Sequence, residues 1–138
     1  MTPTDFAYST RIKVRDYELD SQGIVNNANY LHYLELTRHD FCAAAGYSFA
    51  AMSADGLVPV VRRVEIDYLS SLRSDDEMLS CLSLHRKGAR FVFHQAIFRS
   101  SDMTPVVKAL VTVTCLENGR LTRGERLAEA FKNVLTEE

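Results

Sequence analysis

The sequence predicts an α+β protein in which one long helix packs against an antiparallel sheet of five strands. Three observations predict it: a helical apolar period over residues 28–45, a period-two alternation before that helix, and four β-rich segments after it. A sheet of this size can curl around one helix and bury it. The 138 residues match the usual length of one globular domain, so we expect residues 1–138 to form a single domain.

The elements follow from local patterns. Alternating apolar and polar side chains predict the first strand over residues 6–14. Asn26 and Asn27 offer side-chain oxygens that can cap the long helix over 28–45, and Gly46 is a natural stop after it. Four further strands are predicted at residues 57–69, 78–84, 91–98 and 106–116, and a short amphipathic helix over 123–135.

Composition excludes several classes of function. The net charge is −2 and the basic residues are dispersed, which argues against a nucleic-acid partner. No apolar run reaches the roughly 20 residues that span a bilayer, and the start does not resemble a signal peptide, so we expect a soluble cytoplasmic protein that is not a membrane protein. The three cysteines and four histidines show no metal-ligand spacing, so we expect buried thiols and no metal.

One segment combines residues that suit acyl-transfer chemistry. Asp20 lies seven residues before Asn27, at the start of the helix, and Gly23 lets the chain turn sharply between them. Free N–H groups near Asn27 and Ala28, with the helix dipole, can stabilise an oxyanion. Asp20 can then attack an acyl carbonyl or act as general base towards water. Taken alone, an aspartate before a glycine loop is more often a turn-forming residue.

The same segment resembles the signature of the 4-hydroxybenzoyl-CoA thioesterase family of hot-dog-fold proteins. The matching elements are Val14, Tyr17, Glu18, Asp20, Gly23, Tyr30 and Arg38. The resemblance implies the hot-dog fold, a thioester hydrolase without metal or redox cofactor, Asp20 as the catalytic carboxylate, and the Asn27 N–H as carbonyl donor. It also implies a site built between subunits.

Residues 25–28 are most similar to plant plastid acyl-lipid thioesterases and the methylketone-forming branch, which favours fatty or 3-oxo-fatty acyl groups on CoA or acyl-carrier protein. Aromatic substrates of the hydroxybenzoyl- or dihydroxynaphthoyl-CoA type are an alternative, as is a non-catalytic acyl-thioester binding module. A hydratase is disfavoured, because Val25 and Asn26 occupy the positions where its histidine would lie.

Other residues are weaker candidates. Gly23 and Tyr30 are expected at the substrate pocket, although a tyrosine there is more often core packing. Arg86, Lys87 and Arg90 surround a turn and can hold CoA phosphates, and an ordinary solvated hairpin is the alternative. Asp16 and Glu18 are expected to be solvated. Glu35 is expected to form surface ion pairs with Arg38 and His39.

Oligomerisation is the remaining expectation. A single sheet around one helix leaves an edge strand and apolar surface uncovered. We therefore expect a homodimer at least, and a homotetramer is compatible with the same argument.

Overall fold

The computed structural model describes all 138 residues. The helices are α1 (Asn27–Ala44), α2 (Phe49–Ala54) and α3 (Glu125–Ala130). The strands are β1 (Tyr8–Lys13), β2 (Leu57–Tyr68), β3 (Glu77–Lys87), β4 (Arg90–Arg99), β5 (Pro105–Glu117), β6 (Arg120–Thr122) and β7 (Leu135–Glu137). Short 3-10 turns lie at Pro3–Asp5 and Asp16–Glu18.

Five long strands form an antiparallel sheet in the order β1-β3-β4-β5-β2, which confirms the predicted architecture. The strand that follows the helices, β2, therefore pairs with the last long strand and lies at an edge of the sheet. Two short strands were not predicted: β6 pairs with β5, and β7 pairs with β3 in parallel.

The predicted C-terminal helix over 123–135 is wrong in its second half. Helix α3 ends at Ala130, and after a turn the chain forms β7. The reason lies in the sheet, since β1 pairs with β3 only as far as Leu82 and leaves Leu84 to Arg86 without a partner strand there. Strand β7 pairs with β3 at that edge. The hydrogen bonds between these strands stabilise the last residues more than another turn of helix would.

Helix α1 buries one face against the sheet, and the core divides into two large apolar clusters along it. Phe41 and Phe93 belong to the cluster near the end of α1, and Leu34 and Ile97 belong to the cluster near its start. Both clusters draw alternate residues from the strands, as a sheet with one buried face requires. Burial of this face stabilises α1 more than its intrinsic propensity does.

Polar side chains cross the helix–sheet interface in the core. The Thr37 and Ser80 hydroxyls lie 2.7 Å apart, and Arg38 Nη1 donates to Gln95 Oε1 at 3.1 Å. The expected surface pair between Glu35 and Arg38 is therefore wrong, because Arg38 is buried and burial lowers the pKa of its guanidinium. His39 does lie near Glu35, at 3.8 Å.

Candidate active site

Backbone hydrogen bonds hold the Asp20 loop against the start of α1. The Asp20 N–H donates to the Ile24 carbonyl at 2.8 Å, and a bridge between Leu19 and Val25 closes the loop. The Asn26 N–H then donates to the Glu18 carbonyl at 3.0 Å. The loop and the first turn of the helix are thus one unit, as the spacing of Asp20 and Asn27 requires.

Asp20 organises its own loop with one carboxylate oxygen. Its Oδ1 accepts the Gln22 N–H at 2.8 Å and, more weakly, the Ile24 N–H at 3.5 Å. Gly23 has a φ of +77°, a left-handed conformation that favours glycine. Asp20 therefore does stabilise the turn, as an aspartate before a glycine often does. Its second carboxylate oxygen, Oδ2, makes no hydrogen bond within the chain. One oxygen is left to face a substrate or water.

At the start of the helix one backbone N–H has no hydrogen-bond acceptor, whereas free N–H groups were expected at both Asn27 and Ala28. Asn26 Oδ1 caps the Ala28 N–H at 3.0 Å, and the Asn29 N–H donates to the Asn26 carbonyl at 2.9 Å. No hydrogen bond of the chain uses the N–H of Asn27. An unpaired N–H at the positive end of an 18-residue helix is a suitable oxyanion donor.

Glu18 is buried, and its expected solvation is wrong. The Tyr33 hydroxyl donates to Glu18 Oε1 at 2.8 Å, and the Arg15 N–H donates to the same oxygen at 2.7 Å. Burial, and then the bond to Glu18, raises the pKa of Tyr33. The Glu18 carbonyl also accepts from Asn29 Nδ2 at 2.9 Å. Glu18 therefore attaches the Asp20 loop to α1, over a separation of 15 residues that local periodicity does not reveal.

Tyrosines surround the start of α1. Tyr30 is buried, its hydroxyl accepts the Leu72 N–H at 3.1 Å, and its ring packs edge-on against Tyr33 and Tyr68. These contacts show that Tyr30 packs in the core. Its role at the substrate pocket stays a prediction. Tyr68, on the edge strand β2, is half exposed, and its hydroxyl lies 3.4 Å from the Asn27 carbonyl. Sequence reasoning did not single it out.

The three predicted phosphate ligands lie in different surroundings. The guanidinium of Arg86 donates to the Arg123 carbonyl at 2.9 Å and to Glu125 Oε1 at 3.0 Å, and it lies 3.6 Å from Glu137. Arg86 therefore holds the C-terminal segment against β3. Lys87, by contrast, is exposed at the turn and makes no ion pair. Their contacts with phosphate stay predictions.

Arg90 lies with two other arginines in a surface cleft of about 610 Å3. Arg62 and Arg63 complete this arginine cleft, and Thr114, whose buried hydroxyl has no hydrogen-bond partner, lines it. A register shift between Val61 and Arg63 accompanies this part of β2. Such irregularities re-aim side chains, which is why alternation along β2 did not predict the cleft.

The three cysteines are buried free thiols, as predicted. Burial raises the pKa of Cys42 to about 12 and that of Cys81 to about 11. Both thiols are therefore protonated at neutral pH and poor nucleophiles.

The sheet order and the enclosed helix define the hot-dog class of protein, with the Asp20 loop at the helix start as its candidate site. Residues 14–135 match the family model described as the thioesterase-like superfamily. The chain belongs to that family. A crystal structure of a hypothetical protein from Aquifex aeolicus has a TM-score of 0.82 and 28% identity, with 89% of this chain and 98% of that chain covered.

Two sequence relatives are informative. The chain is 34% identical over 116 residues to the chloroplastic acyl-acyl carrier protein thioesterase ATL2 of Arabidopsis thaliana, covering 80% of this chain and 60% of that protein. It is 34% identical over 113 residues to the long-chain acyl-CoA thioesterase FadM of Escherichia coli, covering 78% and 82%. The chain thus spans about three fifths of the plant relative's length. No helix has the length and hydropathy needed to cross a membrane.

Proposed function

We propose that the protein hydrolyses an acyl thioester to a free acid and a thiol. The observation that carries the proposal is the Asp20 carboxylate, whose Oδ2 is unbonded, in a loop hydrogen-bonded to a helix start with an unused Asn27 N–H. If a thioester carbonyl binds between them, the Asp20 carboxylate can act on it as base or nucleophile, and the Asn27 N–H can donate a hydrogen bond to its oxygen. Membership of the thioesterase-like superfamily supports the same reaction.

Two mechanisms fit this arrangement. As nucleophile, Asp20 forms an anhydride with the acyl group and expels the thiolate, and water then cleaves the anhydride. As general base, it takes a proton from the water that attacks the carbonyl, and the tetrahedral intermediate expels the thiolate. In both, the negative charge develops on the carbonyl oxygen, which the Asn27 N–H stabilises.

We favour fatty or 3-oxo-fatty acyl groups on CoA or acyl-carrier protein. The two relatives named for acyl-carrier-protein and long-chain acyl-CoA thioesters are each 34% identical to this chain. An apolar pocket between the helices and the sheet is nearly filled, at about 10 Å3, by side chains that include Met52, Phe93 and Phe131. An acyl tail can enter there only if these side chains move.

The function is tested by thiol release from fatty acyl-CoAs of increasing length, 3-oxoacyl-CoAs, hydroxybenzoyl-CoA, dihydroxynaphthoyl-CoA and acyl-carrier proteins. We expect the largest kcat/KM on a fatty or 3-oxo-fatty acyl thioester. Turnover of aromatic thioesters alone would contradict the fatty-acyl preference. Saturable binding of acyl-CoA without any thiol release would instead identify a binding module.

We propose that the arginine cleft of Arg62, Arg63 and Arg90 binds the phosphates of CoA. Arg63 is exposed, and its one partner is Glu65, 3.3 Å from its Nη2, which also lines the cleft. An ion pair at the surface is weak, so a phosphate can compete with Glu65 for the guanidinium. Guanidinium groups bind phosphate through paired, charge-assisted hydrogen bonds. Arg90 was predicted for this role from its position at the turn, and the cleft adds two cations to it.

Replacing Arg63 by alanine is expected to raise the KM for acyl-CoA by about tenfold and leave kcat nearly unchanged, because phosphate binding is remote from the reacting carbonyl. Steady-state kinetics at several salt concentrations measures this. Arg11→Ala, which removes an exposed arginine that pairs with Glu77, is the control and should leave the KM unaltered. An unchanged KM in the Arg63 variant would place the phosphates elsewhere.

We propose that the protein is a homo-oligomer in which two copies meet along β2. This strand has 12 residues, lies at the edge of the sheet, and exposes several apolar side chains along that edge, which a soluble monomer rarely does. They are Val58, Val61, Val64 and Tyr68, followed by Leu69. Neither Asp20 nor Asn27 lines any cavity of the single chain, which supports a site completed by a second copy.

Val64→Lys is expected to convert the oligomer to a monomer of 15.6 kDa and to lower activity with it, because a charge placed on the edge opposes pairing. Sedimentation velocity over a range of concentrations measures the change. Met103→Lys adds the same charge at another exposed apolar position and serves as control. A wild-type protein that sediments as a monomer at all concentrations would overturn this assembly.

A further inference from the structure

Three potential metal ligands converge on the face of the sheet opposite α1. His85 Nδ1 lies 3.1 Å from Glu138 Oε1, and the rings of His85 and His94 have centroids 4.0 Å apart. The ligand atoms of all three residues lie within 4.8 Å of one another. Both histidines are half-buried, and Glu138 is exposed. The cluster lies on the other face of the sheet from the Asp20 site.

The sheet register produces this cluster. His94 lies opposite Ser83 and His85 lies opposite Val92, so the two histidines are diagonal neighbours on one face of the β3–β4 pair. On the other side of β3, the parallel strand β7 places Thr136 beside His85, and the Glu138 N–H donates to the Arg86 carbonyl at 2.9 Å. His85 therefore lies between His94 and Glu138, with the backbone of each residue held by strand hydrogen bonds.

We propose that His85, His94 and Glu138 form a binding site for a divalent transition metal of the zinc type. Two imidazole nitrogens and a carboxylate are a donor set that zinc uses, with a fourth position left to water. Zinc–ligand bonds of roughly 2.0 Å in tetrahedral geometry set the ligands about 3.3 Å apart. The pair formed by His85 and Glu138 already has this separation, and the ligand atom of His94 lies within 4.8 Å of both.

The electrostatic surroundings have one favourable and one opposing feature. Burial, and next the neighbouring His85, lowers the pKa of His94. Lys108 also contributes to that shift, and its charge opposes a cation. The Glu138 carboxylate acts against this repulsion and reduces the net positive charge of the bound cluster.

Metal binding is expected to stabilise the attachment of the C-terminal strand to the sheet. This effect does not depend on the proposed hydrolase function. A metal held by residues of β3, β4 and the end of β7 joins three strands. It would fasten the C-terminal strand, which has only three residues, to the sheet. Bound metal therefore stabilises the folded chain relative to the unfolded chain and protects residues 135–138 from digestion.

The test uses the tag-free chain after chelator treatment, titrated with Zn²⁺ by calorimetry and with Co²⁺ by absorption spectroscopy. We expect one equivalent of Zn²⁺ per chain, a four-coordinate Co²⁺ spectrum, a higher Tm, and slower removal of C-terminal residues by carboxypeptidase. His94→Gln and Glu138→Gln should each weaken Zn²⁺ binding by more than about tenfold and remove the Tm increase. Circular dichroism establishes that both variants fold.

His39→Gln is the matched control, because His39 and Glu35 form an exposed histidine–glutamate pair without a third ligand. It should bind Zn²⁺ as tightly as the wild type does. Substoichiometric or millimolar binding, or equal affinity in the His94 and Glu138 variants, would overturn the proposal. Thioester hydrolysis is not a readout here, so the metal site and the hydrolase function can fail independently.

Discussion

Asp20→Asn is expected to lower kcat for thioester hydrolysis by a factor of about 100 or more and to leave the Tm unchanged. Asparagine keeps a carbonyl oxygen where Asp20 Oδ1 accepts the Gln22 N–H at 2.8 Å, so the loop retains its turn. It loses the negative charge needed either to attack the carbonyl or to take a proton from water. The substitution therefore separates the chemical role of Asp20 from its structural role.

The measurements are steady-state thiol release and thermal unfolding of the same preparations. Asp16→Asn is the control, since Asp16 lies on the adjoining 3-10 turn and contacts Ser74 at 3.0 Å. It should keep most of the activity. Asp20→Ala removes the turn as well, and should lower both kcat and Tm. Thiol release by Asp20→Asn at the wild-type rate would show that another group drives the reaction.

Single-turnover hydrolysis in H₂¹⁸O tests for the nucleophilic mechanism, because ¹⁸O in Asp20 requires an anhydride with this carboxylate. A nucleophilic carboxylate forms an anhydride, and water attack at the aspartyl carbon leaves ¹⁸O in the protein. A general base never bonds to the acyl group, so all of the label enters the free acid. Mass spectrometry of the peptide that contains Asp20 reads the outcome.

Gln95→Leu is expected to destabilise the fold by about 3 kcal/mol, the largest effect on stability that we predict. Gln95 is the one side chain that accepts a hydrogen bond from the buried Arg38, and its own Nε2 donates to the Leu34 carbonyl at 3.0 Å. Leucine fills a similar volume but leaves a guanidinium in the core without that acceptor. Removing one partner of a buried polar pair costs the desolvation of the other.

Urea unfolding at fixed protein concentration measures this effect, because oligomerisation makes stability depend on concentration. The double variant Arg38→Leu with Gln95→Leu is the test of the cause. It removes the buried charge as well, and should recover much of the lost free energy. If the double variant is less stable than Gln95→Leu by the full cost of Arg38→Leu alone, the two side chains act independently and our explanation is wrong.

Much of the fold could be predicted because its signals are local. The apolar period of α1, its asparagine cap and the glycine after it are read within a few residues, and the structure places the helix at Asn27–Ala44. The alternation in the five long strands is equally local. Strand β7 could not be predicted, because residues 123–135 carry a helical period and only the free edge of β3 makes the last of them a strand.

The candidate site divides in the same way. Asp20, Gly23 and Asn27 lie within eight residues of one another, so their spacing and their resemblance to a family signature were visible in the chain. Glu18 looked like a solvated acid, since its partner Tyr33 lies a further 15 residues along. Arg62 and Arg63 gave no signal, because the register shift in β2 and the pairing with β5 bring them to the cleft with Arg90.

The sequence by itself determined the order of helix and strands, the family, and the loop in which Asp20 precedes a capped helix start. These features depend on contacts between near neighbours, which composition and spacing record directly. Only the tertiary structure decided that Glu18 and Arg38 are buried, that one amide at the helix start is unused, and that His85, His94 and Glu138 meet on one face. Each of these depends on strand register or helix packing, which joins residues that are distant in the chain.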